Sequence, residues 1–301
     1  MTVWVCGEVL VDLLPDKAVI GGGPANTAKA LARLGREVEF IGGISSDEYG
    51  QLARSEFGAA GVGLGFAHKS EKRTATARVS IDIAGSASYL FDLKDTATFD
   101  FSAQWLPDPA RFKPSLLHIG TLATIIEPGA SALYEWAMNV AQFAPIVFDP
   151  NVRPSVQSDR ALYIIAVEKW VALSTVVKVS EDDLDWLYPD AEILDVARRW
   201  LDTGIEIVVI TKGERGLVAL THDEIHEVPA RSVTVVDTVG AGDTVGAVIL
   251  DSIIEHGIPN LRGRVLDEVL DCAARAAAIT CSRAGAKPPS KSELAADEKR
   301  P

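Results

Sequence analysis

The sequence predicts an α/β fold built on a mainly parallel sheet covered by helices on both faces. Three observations carry this expectation. Short β-branched runs are apolar on both faces, amphipathic segments of helical period lie between them, and the two alternate along most of the chain.

The strand signals fall at residues 3–5, 38–41, 116–119, 146–148, 176–179 and 207–210. Helical periodicity marks residues 25–34, 131–141, 161–173 and 193–201. The stretch 74–101 breaks this rhythm. Arg78-Val79-Ser80-Ile81-Asp82-Ile83 alternates polar with apolar, Gly85-Ser86 reads as a turn, and Ser88-Tyr89-Leu90-Phe91-Asp92-Leu93 alternates again. That is a hairpin with one exposed face. It is either an edge decoration or a lid over a pocket, with Tyr89 or Phe91 available to cover a ligand. Further along, Val233–Val236 reads as a strand leading into a glycine turn. The helix after it carries Val245, Val248, Ile249 and Ile253 on one face. The stretch 287–301, rich in Pro, Lys, Glu and Asp, reads as a fraying tail.

At 301 residues, 48% of them apolar, the chain can bury a sizeable core as one α/β domain. A formal net charge of −13 argues against nucleic acid as a partner, since phosphate backbones call for a basic surface. It leaves room for a nucleotide held by local backbone donors. Cys6, Cys272 and Cys281 form neither a C-x-x-C pair nor an even framework and are expected to be reduced. The start Met1-Thr2-Val3-Trp4-Val5 does not read as a signal peptide, and no run reaches the roughly 18–20 apolar residues of a membrane span. A soluble, cytoplasmic protein is the expectation.

The run Asp237-Thr238-Val239-Gly240-Ala241-Gly242-Asp243 carries the most chemistry. Its glycines let the backbone turn tightly and present successive N–H groups at a helix start, where the helix dipole also favours an anion. Asp243 is there either as an N-cap or as a base. A carboxylate beside an anion hole is what phosphoryl transfer to an alcohol needs, because the hydroxyl must lose a proton while charge builds on the phosphoryl group.

A second glycine site is Gly21-Gly22-Gly23-Pro24-Ala25-Asn26. It lacks the third glycine of a dinucleotide fingerprint and lies too far from the first strand. It is either a simple turn or a close approach to a polyhydroxyl ligand, with Asn26 and Asp12 bonding hydroxyls. Asp149-Pro150-Asn151-Val152-Arg153-Pro154 follows a buried strand, where Arg153 could hold a phosphate or lie on the surface. Thr211-Lys212-Gly213-Glu214-Arg215-Gly216 is a β-turn or a nucleotide contact. His222-Asp223-Glu224-Ile225-His226 has displaced acidic spacing in a strand connection and is not a zinc helix. P-loop and Gly-x-Ser-x-Gly signatures are absent from the sequence.

These residues together resemble the ribokinase-like (PfkB) carbohydrate kinases, and among them the bacterial fructokinases. The resemblance runs from Gly7-Glu8-Val9-Leu10-Val11-Asp12 to Arg283-Ala284-Gly285-Ala286. Residues 237–243 resemble the family's second signature, and residues 21–26 with Phe40-Ile41-Gly42-Gly43 the first. His118-Ile119-Gly120-Thr121-Leu122 and residues 149–154 are similar to fructokinases in particular. The resemblance implies a three-layer α/β/α domain with a mainly parallel central sheet and a small β-sheet lid, formed by segments near 8–20 and 72–101. It implies a sugar held by Asp12, Gly22, Gly23, Asn26 and Arg153, with Asp243 as general base and Gly240, Ala241 and Gly242 as anion hole. ATP would meet Thr211, Gly213, Gly216, Lys178 and Ser180. A monovalent cation, K⁺, would sit on backbone carbonyls of Asp237, Val239, Thr280 and Gly285. Mg²⁺ would travel with the nucleotide, linked to Asp183.

Two departures stand out. Val245 and Gly246 replace the usual Phe and Asn after the signature, which implies altered packing. Ser180-Glu181-Asp182-Asp183 replaces the family's Asn-x-x-Glu and weakens the metal link through Asp183. The implied activity is ATP-dependent phosphorylation of a sugar hydroxymethyl, D-fructose to fructose 6-phosphate. The alternatives are a 2-keto-3-deoxygluconate kinase, a ribokinase, or a homologue that binds sugar or nucleotide without turnover. Sugar and ATP are the expected partners, and a homodimer through the lid is left open.

Overall fold

A computed structural model describes residues 1–81 and 87–297, with the side chains of 79–81 and 87–89 outside the description. The chain opens with β1 (Thr2–Cys6), then β2 (Leu10–Leu13) and β3 (Ala18–Gly21), which lead into α1 (Gly23–Arg33). Next come β4 (Glu37–Ile41), β5 (Gly43–Ser45), α2 (Glu48–Ala60), β6 (His68–Ser70), β7 (Thr76–Ile81), β8 (Ala87–Asp92) and α3 (Pro109–Phe112). Strand–helix units follow: β9 (Leu116–Gly120) with α4 (Gly129–Val140), β10 (Ile146–Asp149) with α5 (Arg160–Val171), and β11 (Val176–Ser180) with α6 (Glu181–Leu187) and α7 (Ile193–Leu201). After β12 (Ile207–Thr211), β13 (Leu217–Leu220) and β14 (Ile225–Val228), the chain ends in α8 (Ala241–His256), α9 (Gly263–Cys281) and α10 (Lys291–Asp297).

The central sheet has the order β14-β13-β12-β11-β10-β9-β1-β4. Pairing is parallel from β12 to β4 and antiparallel at the β12–β13–β14 edge. Alternate residues of each strand feed two cores. Val3, Val5, Leu116, Val147 and Val176 pack on the α1, α8 and α9 side. Trp4, Leu117, Phe148, Val177 and Val208 pack on the opposite side, against α4, α5 and α7. Both faces are therefore dry, which is why these strands read as continuous apolar runs. The interior places along the α1/α8 side change character at the carboxyl ends of the strands, where His118, Asp149 and Lys178 are all buried. In open α/β sheets that edge is where ligands bind.

A second sheet of four strands, ordered β3-β2-β7-β8, stands over that edge. Its two halves are joined by parallel β2–β7 pairing, by Val11 N–H to Ala75 O (3.0 Å), and by Thr98 Oγ1 to Val9 O (2.9 Å). A small third core of Leu10, Ala75, Ala77, Phe99 and Leu122 lies under it. The expected alternation holds at its far strand: Leu90 is 71% exposed, whereas Phe91 turns inward. The Gly85-Ser86 turn lies outside the described residues, as does the Tyr89 side chain. Phe101 is a core residue, stacked on Trp105 at 5.6 Å.

Two expectations are corrected. Residues 233–236 form no strand. They run as an exposed loop, Val235 and Val236 both 60% accessible, because no neighbouring strand pairs with them beyond the Val236 N–H to Cys281 O bond (2.8 Å). Nor does the chain fray from 287. Pro288 and Pro289 are buried, Leu294 inserts into the α1/α8/α9 core, and Arg33 Nε donates to Pro288 O at 2.9 Å. Arg283 and Arg33 both reach Glu293 (2.6 and 3.3 Å), so charge pairing docks a segment whose composition looks loose. Among the described residues no helix is long and apolar enough to cross a membrane.

Candidate active site

Two cavities meet at the start of α8. The first, of about 350 Å³, lies between the central sheet and the four-stranded sheet and is lined by Glu8, Asp12, Asn26, Phe91, Arg153 and Asp243 among others. The second, of about 690 Å³, is an apolar groove running over Gly213, Gly216, Val233, Val235, Val245 and Ala277. Both reach Thr238 and Gly242, so one helix turn forms the wall between them.

The residues of that turn take their places for backbone reasons. Gly240 is the N-cap of α8, in the left-handed region at φ 79°. Ala241 N–H donates to Thr238 O (3.2 Å), and helix geometry leaves the N–H groups of Gly242 and Asp243 without intrahelical acceptors. Asp243 is therefore the third helical residue and no cap, and its side chain makes no capping bond. It is 8% exposed, and its Oδ2 accepts from Asn26 Nδ2 at 2.9 Å. Burial pushes its pKa up to about 6, against the pull of Lys178 and the Asn26 bond. A carboxylate so placed can take a proton from a hydroxyl in the first cavity.

The glycine run 21–23 makes room rather than contacts. At Gly23 an added Cβ would stand 2.8 Å from both Asn151 Nδ2 and Thr121 Oγ1 and 3.4 Å from Asp243 Oδ1. At Gly21 it would stand 2.5 Å from Asp12 Oδ2. Asp12 and Glu8 are both held high by burial, to about 6 and about 7. Thr121 (φ 56°) and Asn151 (φ 39°) are non-glycine residues in left-handed conformations, bonded to each other at 3.3 Å on the cavity floor. Such strain gathers at functional sites.

The comparisons with known proteins agree with this architecture. The chain matches the pfkB family carbohydrate kinase pattern over residues 16–293. The chain belongs to the pfkB family of carbohydrate kinases. It is 34% identical to the fructokinase of Rhizobium leguminosarum bv. trifolii over 257 residues, covering 82% of this chain and 78% of that one. It is 30% identical to the Klebsiella pneumoniae fructokinase, covering 97% of each. Among solved structures, the Vibrio cholerae fructokinase with fructose, ADP and calcium ion bound is similar at a TM-score of 0.86 and 26% identity, over 98% of both chains. A double mutant of the same enzyme, with fructose, ADP and potassium ion bound, is similar at a TM-score of 0.87, over 98% of this chain and 97% of that one.

As a pfkB kinase, the protein brings most of the expected residues together. Asp12, Gly22, Gly23, Asn26 and Arg153 all line the first cavity, and Thr211, Gly213 and Gly216 line the groove. Lys178 differs. It lines the first cavity and not the groove, paired with Asp149 at 2.9 Å. Ser180 and Asp183 line neither. Ser180 caps α6, its Oγ accepting from Asp183 N–H (3.0 Å), and Asp183 Oδ2 accepts from Ser180 N–H (3.1 Å). Asp183 Oδ1 accepts from Val152 N–H at 2.7 Å, which anchors the loop that carries Arg153. Both oxygens are thus engaged with backbone, and Asp183 does not fit as a direct metal ligand; no group of three acidic, His or Cys side chains suited to a metal occurs among the described residues. Asp237 bridges two loops instead, accepting from Val239 N–H (3.0 Å) and Gly285 N–H (2.8 Å). Thr280 is fully buried beside them, bonded to Thr244 Oγ1 at 3.0 Å. Val245 is 2% exposed and lines the groove, whereas Gly246 faces Thr27 of α1, so of these two departures only the second is confined to helix packing.

Sequence reasoning passed over Glu8, Thr121, Asn151 and Asp149. Glu8 stood in a quoted run, but nothing local shows that it is 1% exposed with Oε2 on Ala123 N–H (3.2 Å).

Proposed function

We propose that the protein transfers the γ-phosphoryl group of ATP to the hydroxymethyl of free D-fructose, giving fructose 6-phosphate and ADP. The observation that carries this reading is the shared wall: a buried carboxylate, Asp243, stands on the polar chamber at the one turn that also reaches the apolar groove. ATP takes the groove, its base among Val233, Val235 and Ala277 and its phosphates by Thr211, Gly213 and Gly216. The sugar takes the chamber. Asp243 accepts the hydroxyl proton as that oxygen bonds to the γ-phosphorus, and the bond to the bridging oxygen breaks to release ADP. The amides of the 240–243 turn stabilise the charge on the moving group. The four-stranded sheet acts as the lid that keeps water from competing as acceptor.

The choice of a neutral sugar rests on the chamber's charge. Among the described residues, Glu8, Asp12 and Asp243 face only two cations lining the chamber, Arg153 and Lys178. Arg153 Nη1 donates to the Asn151 and Val152 carbonyls (3.1 and 2.9 Å), Lys29 pairs with Glu56 (3.0 Å), and Arg33 is taken by the C-terminal segment. A sugar acid would bring a further negative charge to a chamber whose three carboxyls already outnumber these two cations, which disfavours 2-keto-3-deoxygluconate. The fructokinases among the relatives support fructose. Magnesium would be held by the nucleotide phosphates, where it would supply charge neutralisation. The carbonyls of Asp237, Val239 and Gly285, on the loop pair tied by Asp237, and of Thr280 at the end of α9 are hard oxygen donors, and they would hold K⁺ beside the turn.

ADP release on fructose, ribose, 2-keto-3-deoxygluconate, glucose and nucleosides, with potassium or sodium, tests this. Fructose is expected to give the highest kcat/KM, with stimulation by potassium. ADP release with none of the acceptors would sink the reading in favour of a binding homologue.

A further inference from the structure

Lys178 and Asp149 form a buried ion pair, each side chain 5% exposed, at the carboxyl ends of neighbouring parallel strands. Such pairs contribute little net stability, because desolvation of both charges offsets their attraction. This one is also left incomplete. Among the described residues Asp149 Oδ1 has no hydrogen-bond partner, and neither has Nδ1 of buried His118 on the adjacent strand. A pair kept for stability would have its oxygens satisfied. The ammonium spends one hydrogen on Asp149 Oδ2 (2.9 Å), and a Cβ at Gly242 would stand 3.1 Å from Nζ. Lys178 thus sits directly against the first turn of α8, on the chamber side.

We propose that Lys178, held in place by Asp149, is the side-chain cation of the transfer step, receiving charge on the phosphoryl group as it crosses from groove to chamber. This rests on the phosphoryl-transfer reading above. It gives Lys178 the moving group rather than the nucleotide, and makes Asp149 a positioning residue. Arg153 is a poorer candidate, since its Nη1 is tied to its own loop.

The pair also sets the charge around Asp243. The groups that bear on Asp243 are Lys178, Asp149 and Arg153, with Asn26 as hydrogen-bond donor and Glu8 as a second carboxyl across the chamber. Lys178 favours the ionised form of Asp243, and Asp149 opposes it.

The test is steady-state kinetics on fructose from pH 5 to 9 for the parent, Lys178→Met, Lys178→Arg and Asp149→Asn. Lys178→Met is expected to lose about 10²-fold or more in kcat, the scale of deleting one charge-stabilising donor, with the KM for fructose within about threefold. Its acid limb should move to higher pH and that of Asp149→Asn to lower pH. The limb shifts report the field of the pair at Asp243; a kcat loss with unchanged KM in both Lys178→Met and Lys178→Arg is the readout that a merely structural pair would not give. Should Lys178→Met not fold, Lys178→Arg keeps the charge, and its acid limb should stay at the parental pH while kcat falls. A kcat for Lys178→Met within about threefold of the parent, or limbs unmoved in both charge-removing variants, overturns the proposal. A parent that phosphorylates no sugar overturns instead the functional reading on which it rests.

Discussion

Asp243→Asn is expected to abolish most turnover while making the folded protein more stable at neutral pH. The activity loss follows from removing the carboxylate by which that turn lines the chamber, and general-base loss costs about 10²–10⁴-fold in kcat. The gain in stability follows from burial. The folded Asp243 titrates near 6 against an ordinary 3.8, so its ionised form is disfavoured in the folded state. A raised folded value means that stability is undiminished below the unfolded pKa and is lost as pH rises through the folded one. The penalty at pH 8 is on the order of 3 kcal/mol, and it disappears towards pH 4. Thermal unfolding should therefore show Asp243→Asn above the parent at pH 8, with the gap narrowing as pH falls to 5. A variant with parental kcat would sink the base assignment. One that is inactive and also less stable at pH 8 would return Asp243 to a structural role.

Gly240→Ala should be the second most damaging single change at the site, and Gly242→Ala much milder structurally. Gly240 holds φ 79°, and an added Cβ would lie 2.6 Å from Ala286 Cβ and 2.9 Å from its Cα. Left-handed strain in a non-glycine residue costs on the order of 1–3 kcal/mol, and here the clash is with backbone. Either the helix start or the 284–287 loop must shift, and both carry donors proposed for the anion and for potassium. A displacement of about 1 Å costs about 10²-fold in rate. Gly242 has no positive φ, and its Cβ would meet the tip of the Lys178 side chain at 3.1 Å. Kinetics and potassium titration of both variants check this; a Gly240→Ala enzyme with parental kcat and potassium response would remove the turn from the mechanism.

The central sheet was legible because strands buried on both faces leave apolar runs, and all six strand signals correspond to β1, β4, β9, β10, β11 and β12. The same rule misread 233–236. Val233 and Val235 are β-branched and apolar but line the nucleotide-sized groove, so their hydrophobicity serves a cavity rather than a sheet. Composition misled at the C-terminus, where Arg33, distant in sequence, supplies the pairing that docks the segment. At the site, local chemistry identified Asp243 but left it between cap and base. What decides its geometry is Asn26, 217 residues away, and the backbone that makes it the third residue of α8. Lys178 in its Val-Val-Lys-Val run looked like a strand residue near a nucleotide. Only the pairing of neighbouring strands brings Asp149 to it, behind the ammonium that lines the chamber.

The shared wall at Thr238 and Gly242 bears on how such a protein can change over time. The chamber draws its lining mostly from residues 8–178, whereas the groove draws on 211–281. Substitutions in the first stretch can redraw which acceptor is taken while the donor side stays intact. A lineage can thus diversify its diet through the first half of the gene and keep one energy currency in the second, with the 237–243 turn as the hinge between the two inheritances.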